Sequence, residues 1–138
     1  MASITVMKNA LTIIGSILIF LATVFHLYVF KLEALTWRTP ETWKTFGIAT
    51  QEDADIIATM AFNQGFYNLF LALGAGTGLV MLAINTTIAL TLIASAALSM
   101  VGAGAVLFFS VKRSRRAAVI QAGPALLGVI ALFVGQML

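Results

Sequence analysis

The chain has no cysteine, one histidine, two prolines, and only eight basic and five acidic residues in 138. Without cysteine there can be no disulfide, thiolate chemistry or thioether lipid anchor. One histidine, with every carboxylate in a single segment, falls short of the three or four donors a zinc ion takes, so no metal is expected. No cofactor is expected either. Haem held by His26 across an oligomer interface is the one alternative a lone histidine leaves open. The glycine-rich stretch Gly74–Gly78 lies inside an apolar run, not in a phosphate-cradling loop. Charged residues make up 9% of the chain and hydrophobic ones 61%, against about 25% and 45–50% in an ordinary soluble domain. A net charge of +3 would suggest nucleic acid in a soluble protein. Here the basic residues serve as topology determinants and headgroup contacts, and no nucleic acid is expected.

What is present is four long apolar runs: Leu11–Phe30, Ile56–Ala83, Thr86–Val111 and Ala117–Leu138. None contains Asp, Glu, Lys or Arg, and each meets the roughly 20 residues an α-helix needs to cross hydrocarbon. They are apolar nearly all round, where a soluble helix would show a polar stripe. The first run is too long for a signal-peptide core and lacks a small-x-small cleavage site, which points to a retained span. The fold class is all-α: a single domain, 1–138, forming a four-helix transmembrane bundle with the lipid bilayer as its partner. The small-residue strips Gly74-x-x-x-Gly78 and Ser95, Ser99, Ala103 suit close helix packing within the chain, with a homo-oligomer interface as the alternative.

Seven of the eight basic residues fall on one side of this arrangement. Lys31, Arg38 and Lys44 lie between spans one and two, and Lys112, Arg113, Arg115 and Arg116 between spans three and four. The positive-inside rule makes these loops cytoplasmic and both termini external, for a multi-pass protein of the cell (inner) membrane. The first loop predicts a short interfacial helix starting at Thr39-Pro40-Glu41 and ending near Gly47. Thr50 and Asp53 mark a second helix start, so the second helix begins near Gln51. Trp37 and Trp43 suit the headgroup level. An interfacial amphipathic turn is the favoured role for this loop, and a lid over a pocket is the sharper alternative.

Polar side chains concentrate in the half of the bundle next to these loops. His26 lies near the end of span one, Asn63, Gln64, Tyr67 and Asn68 early in span two, and Gln121 at the start of span four. Intramembrane polar groups are costly, and a shared depth across three helices predicts one site, capped by Glu33 and Trp37. His26 and Glu33, seven apart, share a helical face if span one continues past Lys31. Gly65 leaves room for a neighbouring backbone or a ligand, and Pro124 predicts a kink or a freed Ile120 carbonyl. Interhelical hydrogen bonding without a ligand is the bland alternative for each of these groups.

His26 with Glu33 and Trp37, Phe46-Gly47, Asn63-Gln64-Gly65-Phe66-Tyr67-Asn68 and Gln121-Ala122-Gly123-Pro124-Ala125 together resemble the small bacterial membrane proteins of domain-of-unknown-function family 1304. The similarity runs from about Leu11 to the C-terminus. It implies four helices and marks this polar set as characteristic, while bringing no activity with it. The residues themselves suggest a pocket for a small lipophilic or amphipathic ligand. His26 and Glu33 are the candidate acid and base of an isomerase-type reaction; Asn63, Gln64, Tyr67, Asn68, Gln121 and Trp37 are the candidate ligand contacts. A small transporter and a pocketless assembly or accessory protein are the competing functions. Transport ranks lower because every carboxylate falls outside the apolar runs.

Overall fold

Helix α1 (Ala2–Phe30) is largely apolar, with Lys8 as its one charged residue. A computed structural model describes residues 2–138. Beyond Phe30 the chain enters a π-helical turn, Lys31–Leu35. The Thr36 N–H closes that turn on the Lys31 carbonyl at 3.0 Å, and the Thr36 hydroxyl donates to the same oxygen at 3.2 Å. Lys31 is exposed while Glu33 is buried. A charge therefore marks where hydrocarbon was expected to end, but not where the helix ends.

Five more helices complete the chain: α2 (Pro40–Thr45), α3 (Gln51–Ile56), α4 (Ala58–Met81), α5 (Thr86–Ser110) and, after a 3₁₀ turn at Lys112–Ser114, α6 (Arg115–Met137). Pro40 opens α2 as expected, but Thr39 does not cap it with its side chain. Its hydroxyl donates to the Thr36 carbonyl at 3.0 Å and lies 2.9 Å from the Thr42 hydroxyl. Gly47 ends this segment at φ 81°, the left-handed region that favours glycine. Thr50 accepts the Asp53 N–H at 3.1 Å and donates to Asp53 Oδ2 at 2.7 Å, a reciprocal cap. The helix it starts stops at Ile56; Ile57, at φ −96° and ψ 3°, separates it from α4. So the expected continuous helix from Gln51 is two pieces. Asn85 caps α5 by accepting the Ile88 N–H at 3.0 Å.

The four long helices form a ring in which α1 packs on α4 and α6, and α5 packs on the same two. Glycine contacts set the register. Gly15 meets Leu132, Gly128 meets Ile19, and Gly135 meets Leu11, an antiparallel α1–α6 pair in constant register. Gly78 meets Ile93 and Ala89 of α5, and Gly104 meets Ala118 and Ala122 of α6. The strip Gly74–Gly78 thus faces α5 of the same chain. Ser95 and Ser99 are exposed, the Ser99 hydroxyl donating to the Ser95 carbonyl at 2.8 Å. Ile19, Ile93, Met100 and Leu132 fill the centre of the bundle. Helix α6 runs unbroken through Pro124. Proline removes the donor for the Ile120 carbonyl, but helices at membrane depth accommodate that loss through neighbours and small backbone adjustments.

The outer surface is apolar, with Ile13, Ile17, Phe20, Leu21 and Val24 exposed along α1 alone. Among the described residues three helices are long and apolar enough to cross a membrane: α1 with its π turn, α5, and α6 with its preceding turn. Helix α4 has the length, but Asn63, Gln64 and Asn68 lower its apolarity. The chain is an integral membrane protein.

A Cβ on Gly128 would stand 2.9 Å from Ile19 Cδ1 and 3.1 Å from its backbone nitrogen, whereas one on Gly102 meets nothing within 4 Å. Gly128→Val should therefore destabilise the bundle by about 1–3 kcal/mol, while Gly102→Ala leaves stability unchanged or slightly raised. Reversible unfolding in bicelles measures both, and equal effects would contradict this packing.

Candidate functional site

The inward face of α1 runs Gly15, Ile19, Ala22, Thr23, His26, and the π turn adds Glu33 to the buried set. His26 is fully buried, and its Nδ1 lies 2.9 Å from the Ala22 carbonyl. A carbonyl only accepts, so Nδ1 carries the proton, and Nε2 of the neutral ring is left as an acceptor. Nε2 is buried and has no hydrogen-bond partner. Continuing the α1–α6 register two turns beyond the Ile19–Gly128 contact sets Gln121 at the level of His26.

Glu33 sits where α1 crosses the start of α4. A Cβ on Gly65 would lie 2.8 Å from Ala34 Cβ, 2.9 Å from Ala34 N and 3.2 Å from Glu33 Cβ. The space beside Gly65 is therefore taken by a neighbouring backbone. This approach lets Asn68, one turn further on, donate to Glu33 Oε2 at 2.8 Å. The same amide nitrogen donates to the Gln64 carbonyl at 3.1 Å. Both partners are acceptors, which fixes the orientation of the amide and turns Asn68 Oδ1 away from them. Glu33 forms no ion pair, as holds throughout the described residues.

A cavity of about 440 Å³ opens beside this pair. Phe25, Tyr28, Val29, Leu32 and Glu33 line it from the first helix and its π turn, Gln64 and Asn68 from α4, and Ala103 and Leu107 from α5. Ala117, Ile120 and Gln121 of α6 complete the wall, with Thr45, Phe46 and Ser114 from the two loops. A second cavity, about 320 Å³, lies on the other side of Glu33 between residues 33–39 and Ala58, Thr59 and Phe62. The loops meet across this end of the bundle, where Arg113 Nη1 donates to the Gly47 carbonyl at 3.3 Å.

The residues singled out from the sequence are divided by this geometry. Glu33, Gln64, Asn68 and Gln121 line the larger cavity. His26 is buried beside it without lining it. Trp37 borders the smaller cavity, its indole N–H donating to the Ala54 carbonyl at 2.9 Å. Asn63 and Tyr67 are exposed and line neither cavity. They occupy the i−1 strip of the Gln64–Asn68 face, and one step of 100° turns them outward. Sequence reasoning missed Thr45 and Phe46 as wall residues. The aromatic residue just before a left-handed glycine was the available signal. It also missed Trp43, buried with an unpartnered Nε1 in a cluster with Trp37, Ala54 and Ala61.

Removing Asn68 leaves a buried carboxyl without its donor. Asn68→Ala should cost about 1–3 kcal/mol, and the coupling with Glu33→Ala, which removes the acceptor, should fall at roughly 0.6–2 kcal/mol in a double-mutant cycle. A coupling near zero would show that the 2.8 Å contact contributes nothing.

Searches of curated proteins and of solved structures give no match. Residues 20–133 match the family described as protein of unknown function (DUF1304). The matched span takes in α4, the π turn and the whole of the larger cavity's wall. This integral membrane protein belongs to the DUF1304 family.

Proposed function

We propose that the protein binds a small lipophilic or amphipathic molecule in the larger cavity, with the apolar part against Phe25, Val29, Leu32, Leu107 and Ile120 and the polar head at Glu33 and Asn68. One observation carries this reading. A buried carboxyl, hydrogen-bonded but without a counter-charge, forms part of the wall of a largely apolar space drawn from all four long helices. A carboxyl in such surroundings is costly, which by default indicates a functional role. In this reading α4 is the fourth span, its polar face tolerated because it lies against the π turn and the cavity. The loop end, with seven of the eight basic residues, is cytoplasmic, and α2 lies at the headgroup level over the cavity. Of the candidate acid–base pair, Glu33 is then the group within reach of a bound molecule, while His26 does not line the cavity.

A second reading, a small cation-coupled transporter, gains from the continuation of the first candidate span to Leu35, which puts Glu33 within it. Coupling normally needs a carboxylate at such a place.

Native mass spectrometry of protein released from lipid nanodiscs tests the binding reading. A co-purified small molecule should be present in the wild type and lost in Ala103→Phe, which fills the cavity from α5 without touching a polar group. An equally occupied variant would remove the cavity from consideration. Reporter fusions should place both termini on the external face, and a cytoplasmic C-terminus would reverse the orientation.

A further inference from the structure

We infer that the head group this cavity selects is a protonated amine, so that its ligand is a lipophilic cation and not a neutral or anionic amphiphile. The inference rests on the binding reading above and deepens it. Its basis is the hydrogen-bonding capacity left over once the protein's own contacts are made.

Asn68 has two N–H donors, and they meet Glu33 Oε2 at 2.8 Å and the Gln64 carbonyl at 3.1 Å. Its Oδ1 remains, as an acceptor. Glu33 receives Asn68 on one oxygen, and its other oxygen has no hydrogen bond. His26 uses Nδ1–H on the Ala22 carbonyl, and its unpartnered Nε2 is buried and does not line the cavity. The groups of fixed hydrogen-bonding sense left unmet in the cavity wall are thus two acceptors, Asn68 Oδ1 and a Glu33 oxygen. The Gln64 and Gln121 amides and the Tyr28 and Ser114 hydroxyls also line the cavity, but each can donate or accept and decides nothing.

The charges agree. No lysine or arginine lines the cavity, and Glu33 is its one carboxyl. Arg38 lines the smaller cavity, which Glu33 also borders, but forms no ion pair with it. An anionic head would meet a carboxyl and no donor of opposite charge. A hydroxyl supplies a single donor. An ammonium supplies up to three donors and the missing counter-charge, and charge-assisted bonds are about twice as strong as neutral ones. The size of the space fits one modest chain: about 440 Å³ lies at the low end of the roughly 300–1,000 Å³ of small-molecule sites.

The test is competition among three probes of equal chain length, octylamine, octanol and octanoate, against the full-length protein in phosphatidylcholine nanodiscs, with empty discs subtracted. Octylamine should bind at least tenfold more tightly than octanol, and octanoate should show no saturable binding. Glu33→Gln should lose the amine preference while retaining octanol, and Ala103→Phe should lose all three. Seven basic against five acidic residues leave this end with a net positive charge, which favours octanoate over octylamine, so the expected order runs against the general field. If octanol and octanoate bind and octylamine does not, the cavity stands and the cation assignment is wrong. If none of the three binds the wild type, the binding reading and this inference fall together. Should Glu33→Gln not fold, the order of the three probes on the wild type decides alone. An order led by octanol or octanoate overturns the inference.

Discussion

The contact on which the rest of this structure depends is backbone against backbone at small residues. Lipid tails solvate leucine as well as another helix does, so apolar burial gives helices in a membrane little reason to associate. Dispersion forces must supply it, and they fall off steeply with distance. Gly128 against Ile19, Gly78 against Ile93 and Gly104 against Ala122 bring the axes close enough for the large side chains of neighbouring turns to interlock. Gly65 against Ala34 is the same device at the loop end, with a further result. By bringing α4 onto the π turn it sets the Asn68 amide within reach of the Glu33 carboxyl. Packing and chemistry are therefore not separable there. The glycine that holds the helices together also creates the polar pair.

The π turn explains why that pair exists at all. In a π turn the helical repeat is one residue longer, which rotates the residues beyond it out of the α-helical phase and often accompanies functional positions. Lys31 stays outside, and Glu33, two residues on, is buried against α4. The two cavities lie on either side of Glu33, where the first helix changes from α to π geometry.

Much of this was legible in the residues. The uncharged runs locate the long helices to within a few residues at α5 and α6. Pro40, Gly47 and the Thr50–Asp53 pair locate the loop helices, because these signals act through local backbone chemistry. Gln64, Asn68 and Gln121 were singled out by depth, and Glu33 by its seven-residue spacing from His26; all four line the larger cavity. What sequence could not supply was rotation and irregularity. Depth is read from the distance to a charged loop, but whether Asn63 or Gln64 faces inward depends on which side α1 approaches. That side is chosen by Gly65 and by a π turn whose residues, Lys-Leu-Glu-Ala-Leu, would suit an ordinary helix equally well. The break at Ile57 was hidden for the same reason, since nothing in Asp-Ile-Ile-Ala resists continued helix.

Trp37 and Trp43 are the only tryptophans of the chain, and both are buried in one cluster under α2 with Ala54 and Ala61. The Trp37 ring lies 5.3 Å from that of Phe46, which lines the larger cavity, and the Trp43 ring carries Lys44 at 5.4 Å. All intrinsic indole emission therefore originates at the loop end of the bundle, and the opposite half contributes none. Fluorescence from the unlabelled protein is thus a local optical probe of the cavity's loop side, blind to events near either terminus.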